Sequence, residues 1–255
     1  MIWLALMFAL TALLYASVGF AGGSTYTALL VLQGTDVSLV PVLSLVCNIA
    51  VSAGSVWHFA RKGLYRDTGI GPILLASAPA AFLGGLTPVS EPVLIGLLGS
   101  LLLLAGFKLG HEALVQGRDA TVPAARRPLP LALSFGAGVG YLSGIVGIGG
   151  GIFLAPLLHF VRWASARQIA AIASAYIAIN SIAALAGKAL VLNATVDWNE
   201  AGSHWPLLAA VLAGGFIGRR LASGWLNERL IKGLTAALIL FVAGRLLLAL
   251  TTGGR

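Results

Sequence analysis

Two glycine-rich runs, each inside a long apolar stretch, are the features most able to do chemistry. Their candidate residues are Gly22, Gly23, Ser24 and Thr25 in the first run and Gly149, Gly150 and Gly151 in the second. Each glycine weakens a helix by about 1 kcal/mol relative to alanine, so each run predicts a helix break. The helix after a break begins with unpaired N–H groups and a partial positive charge. Two such ends facing one cavity would form an anion site, to which the serine and threonine add hydroxyl donors.

Two asparagines add a second kind of donor. Asn48 and Asn180 each lie in the apolar span that follows a glycine run. Their NH₂ groups can donate hydrogen bonds to the oxygens of an anion. The alternative for these amides is a hydrogen bond between helices, and the alternative for the glycines is close helix packing. The pairing of both features across the two runs favours a binding site.

Other chemistries lack the residues that they need. All eight acidic residues lie in predicted loops or at span edges, where a cation or proton site would place a carboxylate near a span centre. No cluster has metal-ligand spacing, and the single cysteine, Cys47, allows no internal disulfide. We therefore expect no metal, no cofactor and no enzymatic activity. The net charge of +8 comes from short basic connections, a pattern of cytoplasmic loops and not of nucleic-acid binding.

The composition predicts an integral membrane protein. Of the 255 residues, 58% are hydrophobic and 9% are charged, whereas soluble domains carry about 25% charged residues. Lipid must therefore solvate much of the surface. The apolar spans are 2–33, broken at 19–24; 38–60; 69–87; 93–111; 129–160, broken at 147–151; 168–192; 205–218; and 231–250.

These spans divide into two similar halves. We predict a first transmembrane repeat at 1–111, a polar cytoplasmic linker at 112–128 and a second repeat at 129–255. Gly84-Gly85 and Gly214-Gly215 occupy corresponding places, as do the two glycine runs. The fold class is all-α, with each half a broken hairpin followed by three transmembrane helices.

The basic residues predict how the halves are oriented. The connections at 61–66, 108–127, 162–167 and 219–232 are basic and should face the cytoplasm, whereas the acid-bearing loops should face outward. Each broken stretch then begins and ends on one side, and each half makes an odd number of crossings. We therefore predict an inverted repeat whose two breaks meet near the midplane. The alternative is a long tilted helix at each break, with parallel halves.

The same residues resemble the sulfite exporter TauE/SafE family of membrane permeases. The resemblance covers residues 5 to 248, and its carriers are the runs at 19–24 and 147–153, Asn48, Asn180, Gly84-Gly85 and 214–218. The first run departs from the family pattern at Ala21 and Ser24. The resemblance implies a multi-pass protein of the bacterial inner membrane that moves small sulfur-containing anions, such as sulfite or organosulfonates, outward.

We therefore predict a secondary transporter of a small anion that works by alternating access around a midplane site. An anion channel, or a non-transporting membrane subunit of a larger complex, remains the alternative. The expected partners are the anion and the lipid bilayer, with no nucleic acid, and a homodimer is left open. Among the basic side chains, Lys188 could attract an anion to the site from a short distance.

Overall fold

In the computed structural model, every regular element of the described residues is a helix. The structure describes residues 1–36, 38–88, 90–114, 128–161, 163–192 and 202–221, with scattered positions between 233 and 248. The first-half helices are α1 (Ile2–Ser17), α2 (Gly23–Leu32), α3 (Leu39–Arg61), α4 (Ile70–Leu86) and α5 (Glu91–Leu114). The second-half helices are α6 (Leu129–Val146), α7 (Gly151–Phe160), α8 (Ala166–Leu192) and α9 (Trp205–Leu221).

Both glycine runs break their helices where predicted, and they do so in the same way. At each break one glycine carbonyl accepts hydrogen bonds from the N–H groups three and four residues further on. The pairs are Thr25 and Tyr26 to Gly22 at 3.0 Å, and Phe153 and Leu154 to Gly150 at 3.1 Å. Gly22 and Gly150 have left-handed φ angles of +96° and +74°, which glycine adopts without steric cost. The two breaks thus share this backbone geometry.

One backbone difference separates the breaks. Gly149 has a left-handed φ of +74°, whereas its counterpart Ala21 is not among the described residues with positive φ. Alanine carries a β-carbon that disfavours that region. The second break therefore contains one more left-handed residue than the first.

The halves pack reciprocally, each placing its fourth helix against the first helix of the other. α4 packs on α6, and α9 packs on α1. The contacts depend on glycine: Gly84 lies against the Tyr141 carbonyl of α6, and Gly214 lies against the Ala9 carbonyl of α1. Small residues allow such close backbone approach in membrane bundles. α3 and α8, the corresponding third helices, pack against each other between these pairs.

Hydrogen bonds between connections establish the direction of α8. The indole N–H of Trp163 donates to the Thr68 carbonyl at 2.8 Å, and the side-chain amide of Gln168 donates to the Arg66 carbonyl at 3.4 Å. The start of α8 thus lies beside the start of α4 and the end of α3. Consequently α3 and α8 run in opposite directions. We call this side of the bundle the basic end; its cationic residues include Arg61, Lys62, Arg66 and Arg167.

Three described helices are long and apolar enough to cross a membrane, namely Leu39–Arg61, Leu129–Val146 and Arg167–Val191. The apolar helices Ile2–Ser17, Gly23–Leu32 and Ile70–Leu86 are shorter. α5 extends to Leu114, beyond the predicted linker start at residue 112. The rest of the predicted linker, up to residue 127, lies outside the described residues. The loop at 193–201 also lies outside them. In the predicted span 231–250 the described positions are helical, and the other positions lie outside the described part of the chain.

Candidate anion-binding site

The two broken hairpins approach the middle of α3 from opposite ends. Gly19, in the first break, lies level with Phe59 near the end of α3, where a β-carbon on it would be 3.2 Å from that ring. Gly147, in the second break, lies level with Pro41 near the start of α3, where a β-carbon on Gly147 would be 2.7 Å from the β-carbon of Pro41. Each chain then turns back along α3. Both breaks reach Asn48, which lies near the middle of that helix.

Asn48 is the residue on which the two breaks converge. A β-carbon on Gly23 would overlap its side-chain amide, and a β-carbon on Gly149 would lie 3.2 Å from its Nδ2 atom. Only glycine leaves room for the amide at Gly23. The sequence pairs each asparagine with its own half, but the structure places Asn48 against both halves.

The amide of Asn48 is buried and unpaired. The residue is 0% exposed, and neither Nδ2 nor Oδ1 has a hydrogen-bond partner among the described residues. A buried polar group without a partner costs about 1–3 kcal/mol. The expected alternative, a hydrogen bond between helices, is not formed by this amide within the described part of the chain. An unpaired amide at a convergence of helix breaks is the arrangement that a polar ligand would complete.

Ser181 joins this position from α8. Its hydroxyl oxygen lies 2.8 Å from the β-carbon position of Gly149, and Nδ2 of Asn48 lies 3.2 Å from the same point. Ser181 is 0% exposed, and its hydroxyl has no partner in the described ranges. Two unpaired donors from different halves thus flank one glycine. Nothing in the periodicity of the sequence distinguishes this serine, and its position directly after Asn180 is the one signal that could have identified it.

Hydroxyl groups hold the first break against α3. Ser44, one turn before Asn48, donates to the Gly23 carbonyl at 2.9 Å, and Thr27 donates to the Ser44 hydroxyl at 2.9 Å. All three residues are buried. This chain of hydrogen bonds positions Gly23 beside the Asn48 amide.

The Thr25 hydroxyl takes part in a structural hydrogen bond. Its hydroxyl is hydrogen-bonded to that of Tyr15 at 2.9 Å, which joins α2 to α1. Ser24 is buried at the start of α2, where the helix has no side-chain cap. The uncapped N-terminus of α2 leaves its first N–H groups available next to Gly23.

The other two glycines of the second run face different side chains. A β-carbon on Gly150 would face Ser143 and Tyr176, and one on Gly151 would face Ile177. Asn180 is 0% exposed, and its amide lies beside the Tyr176 hydroxyl, which donates to the Gly136 carbonyl at 2.9 Å. The structure thus joins Gly23, Asn48 and Gly149 directly and leaves the role of Asn180 a prediction.

A second polar group lies beside Gly22, which the sequence did not reveal. A β-carbon on Gly22 would lie 3.1 Å from the Tyr26 hydroxyl oxygen and 2.8 Å from the Thr11 methyl carbon. The hydroxyls of Tyr26 and Thr11 are buried and unpaired in the described part of the structure. Their counterparts in the second half, Leu154 and Val139, are apolar. This polar pair therefore belongs to the first half alone.

The charged side chains of the described residues bear on which ligand charge the site would accept. No described acidic side chain lies in this region, since Asp36 and Asp67 are exposed in connections. No group of three or more His, Cys, Asp or Glu residues that could hold a metal occurs among the described residues. Lys188, 8% exposed, lies on α8 about two turns beyond Asn180, on the side away from the basic end.

Comparisons with known proteins agree with this picture. The family described as "Sulfite exporter TauE/SafE" matches residues 4–246. A Sinorhizobium fredii protein named "Probable membrane transporter protein y4hK" is 35% identical over 247 residues, which cover 96% of this chain and 98% of that protein. No solved structure matches the chain.

Proposed function

Because this chain belongs to the sulfite exporter TauE/SafE family of membrane transporters, we propose that it is a secondary transporter of a small anion. The substrate class that we propose is sulfite or an organosulfonate, and the proposed location is the cell inner membrane, crossed several times. Membership in a transporter family also agrees with the expectation that the chain is not an enzyme.

One observation carries the anion site. The buried Asn48 amide has no partner among the described residues and lies between the glycines of two helix breaks. An anion there would accept hydrogen bonds from Nδ2 of Asn48, from the Ser181 hydroxyl and from the free N–H groups that begin α2. These neutral donors would bind charge without a buried cation, as helix N-termini do at other anion sites.

Alternating access is the mechanism that we propose. Transporters with discontinuous helices place their substrate at the repeat interface and rock one repeat against the other. The convergence of both breaks on Asn48 supports such a midplane site. The opposite directions of α3 and α8, and the approach of the hairpins from opposite ends, support the inverted repeat.

Flux measurements with the purified protein in liposomes test this function. We expect uptake of sulfite or of an organosulfonate that saturates with concentration and accelerates when the same anion is loaded on the opposite side. Uptake accompanied by a steady anion current, with no such acceleration, would instead indicate a channel. Absence of flux for the whole anion series would indicate a membrane subunit that does not transport by itself.

A further inference from the structure

Two adjacent arginines near the end of α9 have different surroundings. The Arg220 guanidinium lies over the ring of Phe216, 4.2 Å from its centroid, and Arg220 is exposed. Arg219 instead reaches inward to α3. Its guanidinium carbon lies 2.6 Å from the β-carbon position of Gly54, so the absence of a side chain at Gly54 makes room for it.

The Arg219 guanidinium is poorly satisfied where it lies. Its Nη1 donates to the Val51 carbonyl at 3.4 Å, a long hydrogen bond to an oxygen that Ser55 also approaches at 3.4 Å. Arg219 forms no ion pair with any residue that the structure describes. Guanidinium has five N–H donors, so most of them remain free to bind an anion. A half-buried cation with no acidic partner in the described part of the chain is an indicator of a functional position in a membrane protein.

The position of Arg219 relates it to the candidate site. Gly54 follows Asn48 on α3 by about 9 Å along the helix axis, in the direction of the basic end. Ser52 lies between these two levels of α3, and Ser55 directly follows Gly54; both are buried and extend the polar face that Asn48 begins. The Arg219 guanidinium borders this face at Ser55, because both groups approach the Val51 carbonyl at 3.4 Å. An anion moving along this face between the basic end and Asn48 would therefore pass the guanidinium.

We propose that Arg219 binds the transported anion between the basic end and Asn48 and so determines the apparent affinity on that side. This inference rests on the proposed function, because it assigns a second residue to the same pathway. Arg219 differs from Asn48 in being charged and only half-buried, which suits transient capture. The basic end faces the cytoplasm by the positive-inside rule, so Arg219 would act where an exported anion enters.

Kinetics in liposomes of known protein orientation test the inference, with sulfite as the probe. Loss of a charged hydrogen bond in Arg219→Gln should raise KM at the basic end about tenfold and leave KM at the opposite face unchanged. The turnover number should stay within about twofold of the wild type, as expected when only binding is lost. Arg219→Lys should recover part of the affinity. The matched control Arg220→Gln should leave both KM values unchanged.

The variant Gly54→Ala tests the position of Arg219 without removing its charge. The added β-carbon would displace the guanidinium, and KM at the basic end should rise as in Arg219→Gln. Equal KM values for Arg219→Gln and Arg220→Gln would overturn the inference. A lower unfolding temperature of Arg219→Gln with an unchanged KM would also overturn it, because it would assign Arg219 to helix packing. If the wild type transports no anion of the series, the proposed function fails instead; if Asn48→Leu keeps wild-type transport, the anion site at Asn48 fails. If Asn48→Leu abolishes transport and Arg219→Gln changes nothing, only the inference about Arg219 fails.

Discussion

The side-chain amide nitrogen of Asn48 lies 3.2 Å from the point where Gly149 would carry a β-carbon, although the two residues belong to different halves of the chain. This contact joins the second helix break to α3, in the first half of the chain. Because Gly23 also lies against this amide, both breaks contact one residue. A change in the relative position of the repeats must therefore alter the surroundings of Asn48.

Replacing Asn48 with leucine should stabilise the ligand-free protein. Leucine has the same branching and the same number of side-chain heavy atoms, and its introduction removes a buried amide that has no partner among the described residues and whose desolvation costs about 1–3 kcal/mol. We expect the unfolding temperature of Asn48→Leu without anion to match or exceed that of the wild type. The matched control is Ser44→Ala on the same helix, which removes the hydrogen bond to Gly23 and should lower the unfolding temperature. A lower value for Asn48→Leu would mean that the amide has a structural role.

Gly149→Ala should damage the site and its backbone together. Alanine at φ +74° costs about 1–2 kcal/mol, and the β-carbon would lie 2.8 Å from the Ser181 hydroxyl oxygen. We expect lower thermal stability and loss of anion binding. Gly138→Ala is the control: Gly138 is exposed in α6 with no atom near its β-carbon position, and alanine there should be neutral or stabilise by up to about 1 kcal/mol. Equal behaviour of the two variants would contradict the described turn.

The hydrogen bond between Tyr15 and Thr25 should show coupling in a double-mutant cycle. Tyr15→Phe and Thr25→Val each leave one buried hydroxyl without its partner, which should cost about 1–3 kcal/mol of unfolding free energy. The double variant should lose less than the two single losses combined, because no orphaned hydroxyl remains. Denaturant unfolding of the four proteins measures the coupling. Strictly additive losses would show that the bond does not join α1 to α2 in solution.

The reciprocal packing of the halves predicts equivalent effects at Gly84 and Gly214. A β-carbon at either position would overlap a carbonyl oxygen of the facing helix. Such overpacking should cost about 1–3 kcal/mol for Gly84→Ala and for Gly214→Ala. Gly71→Ala, at an exposed position of α4 with open space, is the control. Thermal unfolding in detergent compares the three variants, and a loss confined to one half would contradict the reciprocity.

The helix breaks could be predicted from the sequence because runs of glycine in apolar stretches oppose a helix through local physics. The contact of Asn48 with both breaks could not, since it depends on how α3 and α8 cross. The role of Ser181 could not be predicted from the sequence because a single serine in an apolar helix has no periodic signature. The extension of α5 to Leu114 was missed because its polar last turn resembles a linker. Local propensity thus accounts for the elements, whereas tertiary packing decides which polar groups meet.

Anion binding to wild type and to Asn48→Leu, measured by thermal shift in detergent, tests the central claim most directly. The panel is sulfite, sulfate, thiosulfate, taurine, sulfoacetate, acetate, formate and chloride, each with the same cation. A ligand at 100 times its Kd stabilises a protein by about 2.7 kcal/mol, a readily measured shift. We predict that sulfite or a sulfonate stabilises the wild type and that Asn48→Leu loses this response. An equal response from both proteins, or stabilisation that follows the cation and not the anion, would contradict the assignment of an anion site at Asn48.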